Sequence, residues 1–328
     1  MPDLDILFIH PPIRFQRHWT RFKHSEILQV PMGMPALADL CQQQGLKTRI
    51  LNIPLELNID AKWDPRAYLK NNPARVYAID IHWFATSHGA IQTTKLCKAI
   101  QPDASVLLGG STATIFAKEI LKTYSAIDAV IRGETEEPIL KYLEAIEGNP
   151  RQLQNVPNLS FRESSSKVRE NPISYIAKEE DINALNFTNL TMMEHSKEYF
   201  HFLERYMPFG LMVARGCPFN CPLCAGGRDS LAHYWKRRKT TLRDPVRVAE
   251  DIASIAETHL TSEVYFGHGI YPATQKYWLR LFKEVRTKRN LTYAVSAGQA
   301  SRRDTYGMLY VTAVEPDTTI RVMLHEVH

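Results

Sequence analysis

The stretch SVLLGGSTATIFAKEILKTY, Ser105–Tyr124, decides the fold class of the N-terminal half of the chain. An apolar run of strand length stops at Gly109 and Gly110, and helical periodicity follows from Ser111, which can cap the helix N-terminus. A strand that passes through a glycine turn into an amphipathic helix is the repeating unit of parallel α/β sheets. The stretch therefore predicts one strand–helix unit of such a sheet.

The same alternation extends in both directions and covers residues 1–148. Strands are predicted at LDILFIH, KTRILNI, ARVYAIDIHW, SVLLGG and DAVIRGE, and helices at MPALADLCQQQG, GAIQTTKLCKAIQ, STATIFAKEILKTY and EPILKYLEAIEG. Strict alternation favours right-handed crossovers and a parallel sheet that helices cover on both faces. We predict a doubly wound α/β domain over residues 1–148, with the flavodoxin-like strand order 2-1-3-4-5.

In a sheet of this order, ligands bind beyond the carboxyl ends of the strands, at the switch between the first and third strands. The predicted strand ends deliver a set of cofactor-binding candidates to this edge: His10, Pro11, Pro12, His82, Gly109, Gly110, Ser111, Gly133 and Glu134. Glycines let a backbone approach a ligand closely, but they also make tight turns, and both interpretations stay open. No glycine-rich dinucleotide motif follows the first strand, so a nicotinamide cofactor is not predicted.

Three of the five cysteines lie in GCPFNCPLC, residues 216–224, directly after the predicted strand GLMVARG. Cys217, Cys221 and Cys224 can hold three irons of a 4Fe–4S cluster and leave the fourth iron open to a small molecule. A zinc site would need a borrowed histidine, and a redox pair would leave Cys217 without a role. Cys41 and Cys97 lie on helical patterns among apolar neighbours and are predicted to be buried hydrophobic residues.

A CxxxCxxC motif after a strand resembles that of the radical S-adenosylmethionine (SAM) enzymes, although Leu223 departs from the aromatic residue usual before the third cysteine. The resemblance implies that the three cysteines are catalytic metal ligands of a 4Fe–4S cluster whose open iron binds the amino and carboxyl groups of SAM. One electron, from a donor such as flavodoxin or ferredoxin, would cleave SAM to methionine and a 5′-deoxyadenosyl radical. The segment FGHG occupies the place of the family's glycine-rich SAM contact, which makes Gly267, His268 and Gly269 cofactor-binding candidates. The segment lacks the acidic residue often found there, and a plain turn at the strand end is the alternative.

The N-terminal half resembles the cobalamin-binding subgroup of these enzymes. The matching pieces are HPP after the first strand, GG after the fourth and RGETEEP after the fifth. The resemblance implies cobalamin as a second cofactor, with methyl transfer the most frequent outcome. The DxHxxG motif of domains that ligate cobalamin through histidine is absent from the first loop. The segment DIHWFA contains Asp80 and His82, but it lies on the third strand and lacks the glycine. We therefore expect cobalamin without a histidine axial ligand.

The composition changes after residue 148. Residues 149–205 are polar and turn-rich and predict a hairpin linker followed by a helix. Residues 206–328 predict a radical SAM β/α barrel, but only 104 residues follow Cys224, so we expect a barrel that is truncated at its C-terminus. A catalytically incomplete remnant that binds a corrinoid or an iron–sulfur cluster is the alternative to an enzyme, and a zinc-binding protein is a third hypothesis.

The overall charge excludes few classes of function. There are 40 basic and 35 acidic residues, and this net charge of +5 does not predict nucleic-acid binding. The basic stretch YWKRRKTTLR, Tyr234–Arg243, is interpreted as a solvated loop. The apolar runs are too short to cross a membrane, and no signal peptide precedes them, so a cytoplasmic protein is expected. The substrate, a small molecule or a peptide, is not identified by the sequence.

Overall fold

The computed structural model describes residues 2–15, 26–164, 167–206, 209–220, 224–258, 263–266, 275–289, 292–297, 306–315 and 318–327. The chain divides into two compact units. The first comprises Met1–Ala177, Leu190–His195 and Gly216–Lys239, and the second comprises Lys178–Asn189, Ser196–Arg215 and Thr240–His328. The three-cysteine segment therefore belongs to the same compact unit as the N-terminal sheet.

The first unit is built on a seven-stranded sheet in the order β2-β1-β3-β4-β5-β6-β7. Its strands are β1 (Leu4–His10), β2 (Thr48–Asn52), β3 (Ala74–Asp80), β4 (Ser105–Gly109), β5 (Ala129–Ile131), β6 (Leu159–Ser164) and β7 (Lys167–Glu170). The first five strands are parallel. The predicted α/β class and the flavodoxin-like order of these five strands are confirmed.

Helices cover this sheet. They are α1 (Gly33–Gln43), α2 (Ile53–Ile59), α3 (Pro65–Asn71), α4 (Ser87–Ile100), α5 (Ser111–Ile115), α6 (Ala117–Thr123) and α7 (Glu136–Glu147). The same unit contains the short helix α10 (Arg228–Ser230) after the cysteines. Among the described residues, none of the helices combines the length and the apolar character that a membrane span requires.

The sequence analysis missed α2 and α3, which connect β2 to β3. Each has a local start signal, because the side chains of Asn52 and Asp64 accept hydrogen bonds from backbone N–H groups of the first turn. Pro54 and Pro65 stand in those first turns, where a missing N–H costs nothing. The starts of α2 and α3 could therefore have been predicted from the capping residues and the prolines.

The helix predicted over residues 111–124 is two helices, α5 and α6, broken at Phe116. The prediction that Ser111 caps this helix is wrong. Gly110 is the N-cap residue, with φ +101°, and Ser111 is the first helical residue. The hydroxyl of Ser111 lies instead 3.3 Å from Nδ1 of His82, because the two loops meet at the sheet edge.

The predicted hairpin after residue 148 exists as β6 and β7, and it extends the sheet, since β6 pairs antiparallel with β5. Asn158, just before β6, has φ +62° and is fully buried. Its amide donates to the carbonyls of Glu134 and Tyr175 and accepts from the N–H groups of Ser174 and Tyr175. Its hydrogen-bonding capacity is satisfied, which permits its burial at this turn.

The core of the first unit lies between the parallel strands and their helices. The residues of β1, β3 and β4 are almost all buried, as expected for strands that helices cover on both faces. Full burial of each large aliphatic side chain contributes about 1.5–3 kcal/mol. Cys41 and Cys97 are fully buried in α1 and α4, and the prediction that both are core residues is confirmed.

The second unit contains α8 (Glu179–Asn183), α9 (Ser196–Tyr206), α11 (Pro245–Thr258) and α12 (Gln275–Arg289). Its strands are β8 (Phe209–Leu211), β9 (Ala214–Arg215), β10 (Thr241–Leu242), β11 (Glu263–Phe266), β12 (Thr292–Ala297), β13 (Tyr306–Glu315) and β14 (Thr318–Val327). The larger sheet has the order β12-β13-β14-β11-β8. β8 and β11 are parallel, as in a strand–helix repeat, whereas β12 pairs with β13 and β13 pairs with β14 in antiparallel fashion.

The prediction of a solvated basic loop is wrong for two of its arginines. In the second unit, Arg243 is 1% exposed, contacts Asp251 at 2.8 Å and lies over the ring of Phe187 at 4.5 Å. In the first unit, Arg237 is 5% exposed. Both guanidinium groups are held by carboxylates of their own unit, which is the condition under which a cation can be buried.

Candidate cofactor site

The carboxyl ends of β1 and β3 carry a buried charged pair. His10 is fully buried, and its Nδ1 lies 2.9 Å from Oδ1 of Asp80. Its Nε2 donates to the carbonyl of Ile27 at 2.8 Å. Burial lowers the pKa of His10, but the attraction of Asp80 and the hydrogen bonds outweigh this, and the pKa is raised above its ordinary value. Both ring nitrogens are therefore engaged within the protein.

His82 lies two residues beyond β3 and is exposed. Its backbone is held by the loop after β4, because the N–H of Thr112 donates to the carbonyl of Ile81 at 3.0 Å and the Thr112 hydroxyl donates to that of His82 at 3.2 Å. Desolvation by surrounding atoms lowers the pKa of His82, and this outweighs the opposing attraction of Asp80.

The two glycines after β4 have different roles. A Cβ on Gly110 would lie 2.7 Å from the backbone nitrogen of His82, and its φ is +101°, so glycine is required there by the turn itself. Among the described residues, a Cβ on Gly109 would meet no atom within 4 Å. The packing of this part of the chain does not require glycine at Gly109 and leaves space beside its backbone.

Aromatic side chains accompany these loops. Trp83 packs edge-on against His10 and His82, with ring centroids 5.9 and 5.1 Å apart. Phe84 is 77% exposed. Pro11 and Pro12, in contrast, are buried. The edge thus offers an exposed apolar ring beside an exposed imidazole, and the sequence analysis quoted both aromatics without proposing them.

The loop after β5 is covered by the segment that follows the cysteines. A Cβ on Gly133, which has φ +75°, would lie 3.4 Å from Cδ1 of Trp235. The carboxylate of Glu134 accepts hydrogen bonds from Nε and NH2 of Arg237, the latter at 2.8 Å, and from the N–H of Ala177 at 2.6 Å. Glu134, predicted as a cofactor contact, is therefore engaged by a guanidinium from the basic stretch.

A tight turn at Trp235 directs Arg237 inward. Residues Leu231–Trp235 form one π-helical turn, and Lys236 ends it in the left-handed conformation with φ +59°. NH2 of Arg237 also donates to the carbonyl of Ala177 at 2.6 Å. In the sequence, Arg237 is one of several basic residues in a row. Such a run does not indicate which of its arginines are solvated and which are buried.

The loop that carries the cysteines is closed by hydrogen bonds of its own. The N–H of Arg228 donates to the carbonyl of Phe219 at 2.7 Å, and the amide of Asn220 donates to Asp229 at 2.7 Å. Cys217 is half-buried and Cys224 is exposed. Cys221 lies outside the described residues, as do Gly267, His268 and Gly269 of the FGHG segment. Within the described ranges, no three metal-binding side chains converge.

A separate cleft of about 470 Å³ lies beside α5 and α6 in the first unit. Arg132 lines it and lies 3.5 Å from Glu170, and Lys118 lies 3.7 Å from the same carboxylate. The charges of these walls compensate one another within the protein. The cleft therefore indicates no particular class of ligand.

Comparison with known proteins identifies the N-terminal part. Residues 24–143 match the B12 binding domain family. An uncharacterized methyltransferase of Pyrococcus horikoshii is 29% identical over 180 residues, which is 55% of this chain and 36% of that protein. The hopanoid C-3 methylase of Methylococcus capsulatus is 21% identical over 259 residues, which is 77% of this chain and 44% of that protein. The chain thus spans less than half the length of these curated relatives.

Among solved structures, the chain resembles the cobalamin-dependent S-adenosylmethionine radical enzyme OxsB with aqua-cobalamin bound. The TM-score is 0.60 at 12% sequence identity, and the match covers 86% of this chain and 37% of that one. This likeness shows the fold. The resemblance predicted from the sequence is therefore confirmed: residues 24–143 match the B12 binding domain family, and the chain is similar in fold to a cobalamin-dependent S-adenosylmethionine radical enzyme.

Proposed function

We propose that this protein is a cobalamin-dependent radical SAM enzyme, with methyl transfer to a small molecule or a peptide as its reaction class. The observation that carries the proposal is that a B12-binding domain and a three-cysteine segment belong to one compact unit. Methyl transfer is favoured because two similar proteins are named a methyltransferase and a methylase. The cofactors would be cobalamin, a 4Fe–4S cluster and SAM.

The edge formed by the loops after β3 and β4 fits a corrin. A large, flat and partly apolar ligand needs an open surface with an apolar wall and few polar contacts. Within the described residues, Gly109 leaves such space, Phe84 exposes an apolar ring, and His82 exposes an imidazole. When bound, cobalamin would supply a cobalt centre that can carry a methyl group. Trp83 and the loop after β4 would orient it. Buried His10 would hold Trp83 in place through the contact between their rings.

The cysteine loop fits a cluster in the chemistry of its side chains. Cys217 and Cys224 have exposed or half-buried thiols near one another in sequence, whereas Cys41 and Cys97 are buried in helices. Burial raises the pKa of Cys41 to about 12, so this thiol does not form the thiolate that a metal requires. Cys217, Cys221 and Cys224 are the thiols that remain, and the reducing cytoplasm would keep them available. Flavodoxin or ferredoxin would deliver the electron.

Iron content tests the cluster ligands. Anaerobic reconstitution of the full chain should yield about four irons per chain, because three cysteines can hold a cubane cluster. Cys221→Ala should lose most of the iron, whereas the control Cys97→Ala, which removes a thiol outside the loop, should keep it. Full iron in Cys221→Ala would show that the ligand set is wrong. Zinc in place of iron in anaerobically purified protein would support the zinc-binding hypothesis.

Reductive cleavage of SAM separates an enzyme from a binding remnant. Reconstituted protein, incubated with SAM and a strong reductant, should release methionine and 5′-deoxyadenosine in equal amounts. The Cys221→Ala variant is the control and should release neither product. No 5′-deoxyadenosine from protein with a complete cluster would contradict the enzyme proposal and would support a corrinoid-binding remnant.

A further inference from the structure

We propose that Arg237 is a positioning residue, which fixes Cys224 relative to the loop after β5 through its ion pair with Glu134. The inference rests on the proposed function, which makes Cys224 a cluster ligand. Glu134 lies within residues 24–143, the range that matches the B12 binding domain family. The pair would therefore set where a cluster lies relative to that domain. Arg237 would act through the segment between it and Cys224, and not through a contact of its own with a cofactor.

Successive backbone hydrogen bonds connect Cys224 to Arg237. The N–H of Gly227 donates to the carbonyl of Cys224 at 3.1 Å, and the N–H of Leu231 donates to the carbonyl of Gly227 at 2.9 Å. The N–H of Arg237 then donates to the carbonyl of Leu231 at 3.2 Å. Helix α10 and the π-helical turn after it fill this stretch. Because hydrogen-bonded helical turns are rigid, the position of Arg237 constrains the position of Cys224.

The first part of the cysteine loop is attached to the same stretch. The N–H of Arg228 donates to the carbonyl of Phe219 at 2.7 Å. The side chain of Asn220 donates to Asp229 at 2.7 Å and accepts from the N–H of Asp229 at 3.3 Å. Phe219 and Asn220 lie between the first and the second cysteine, so this part of the loop is held to α10.

The far end of the stretch is held by an oriented ion pair. Nη2 of Arg237 donates to Oε2 of Glu134 at 2.8 Å, and Nε donates to Oε1, so two hydrogen bonds join the guanidinium to the carboxylate. The side chains are only 4% and 7% exposed. A pairing through two bonds defines an orientation as well as a distance. The ammonium group of a lysine is a point charge and cannot define both.

The carboxylate that receives this guanidinium is itself held in place. It also accepts a hydrogen bond from the N–H of Ala177 at 2.6 Å, and the carbonyl of Glu134 accepts from the amide of Asn158 at 2.9 Å. The N–H of the preceding Gly133 donates to the hydroxyl of Thr114 on α5 at 2.9 Å. The loop after β5 is therefore a fixed point to which the stretch from the cysteines is attached.

The burial of this pair agrees with a role in position. Removal of two opposite charges from water opposes their attraction, and apolar residues of similar volume often stabilise a core as well. A buried pair with two hydrogen bonds adds one defined arrangement of its partners. Loss of one partner still destabilises the protein, because the other charge stays buried without a counterion. Position and stability are therefore separate effects, which separate measurements can detect.

Distances between two spin labels test the positioning directly. Pulsed electron paramagnetic resonance measures them on the full chain without cofactors. One label is attached to Cys224, after Cys217→Ser and Cys221→Ser, and the other to Glu144→Cys at an exposed position of α7. The two remaining cysteines are fully buried in helices and should not react. Native contacts of Arg237 should give one narrow distribution of distances.

The variants differ in whether they retain the oriented pair. Arg237→Lys keeps the charge but not the two-bond pairing, and it should broaden the distribution. Arg238→Lys, the same substitution at the exposed neighbouring residue, is the matched control and should leave the distribution narrow. Glu134→Gln changes the pair from its other side and should broaden the distribution as well. A pair that only stabilised the fold would lower the free energy of unfolding on substitution and leave the distances unchanged.

Reconstituted protein gives a second measurement. Arg237→Lys should keep about four irons per chain, because its three cysteines are unchanged. It should release 5′-deoxyadenosine up to about 100-fold more slowly than Arg238→Lys, since a misplacement of about 1 Å can reduce a rate by that factor. Equal rates in the two variants would contradict an effect of Arg237 on the cluster.

The outcomes separate this inference from the proposed function. A distribution that is as narrow in folded Arg237→Lys and Glu134→Gln as in native protein would overturn the positioning role alone. A broad distribution in native protein would do the same. Native protein that assembles no cluster, or that cleaves no SAM, would overturn the proposed function. The label distances, which are measured without cofactors, would still decide whether Arg237 positions Cys224.

Discussion

At the scale of single residues, the two histidines of the switch point show that hydrogen-bond partners decide what a side chain can do. His10 ends β1, and His82 follows the neighbouring strand β3 at the same edge of the sheet. Asp80 and the Ile27 carbonyl contact both ring nitrogens of His10, whereas Ser111 contacts Nδ1 of His82. The same residue type thus has a structural role in one loop and is available to a cofactor in the next.

The buried pair makes stability depend on pH. Asp80 and Glu26 are the acidic groups that act on His10, and its folded pKa lies above the unfolded value of about 6.5. A raised pKa stabilises the fold fully below the unfolded value, and this stabilisation is lost as pH rises through the folded pKa. The free energy of unfolding should therefore decline above about pH 6.5 in native protein and less so in His10→Gln.

Urea unfolding at a series of pH values measures this dependence. His88→Gln, in an exposed position of α4, serves as the control and should follow the native profile. Parallel pH profiles for native protein and His10→Gln would contradict the assignment of a charged, buried His10.

At the scale of elements, close packing of α4 against the loop after β1 depends on one glycine. The N–H of Gly89 donates to the carbonyl of Ile13 at 3.0 Å, and a Cβ on Gly89 would lie 1.8 Å from the carbonyl oxygen of Pro12. The helix can therefore approach this loop only without a side chain. The loop after β1, which begins with the buried Pro11 and Pro12, is thus held by the first turn of α4.

Gly89→Ala should destabilise the protein by about 1–3 kcal/mol, because the added methyl group overpacks against backbone atoms that cannot rotate away. Gly33→Ala is the matched control, since a Cβ there meets no atom within 4 Å. It should change the free energy of unfolding by about 0.5 kcal/mol or less. Urea unfolding of both variants measures the difference, and equal stability would contradict the contact.

At the scale of the whole molecule, hydrogen bonds join residues of the first unit that are far apart in sequence. Glu134 follows β5, Ala177 ends the segment after the hairpin, and Arg237 follows the cysteines. The three meet in one buried network of hydrogen bonds. This network attaches the segment that follows the cysteines to the loop after β5 in the first unit.

Removal of one partner from this network should strongly destabilise the protein. Arg237→Ala leaves the carboxylate of Glu134 buried without its cation, and it should lower the free energy of unfolding by about 3–5 kcal/mol. Arg228→Ala is the matched control, because its ion pair with Asp229 is exposed and contributes about 0–1 kcal/mol. Hydrogen exchange of residues 228–239 should accelerate in the first variant only. Similar stability of the two variants would contradict a structural role for the Glu134–Arg237 pair.

The part of the fold that could be predicted is the part that local signals encode. Apolar runs, glycine turns and helical periodicity identified the five parallel strands and most of their helices. The break at Phe116 and the antiparallel pairing of β6 with β5 could not be predicted in this way. Both depend on which surfaces the rest of the chain leaves open, and no window of local sequence contains that information.

The α/β class, the residues at the carboxyl ends of the strands and the spacing of the three cysteines follow from the sequence alone, because neighbouring residues encode each of them. Only the tertiary structure decided which predicted residues are available to a ligand. The carboxylate that occupies His10 comes from 70 residues away, and the guanidinium that occupies Glu134 comes from 103 residues away. Pairing over such separations is a property of the folded chain, since burial makes these partners necessary and the sheet brings them together.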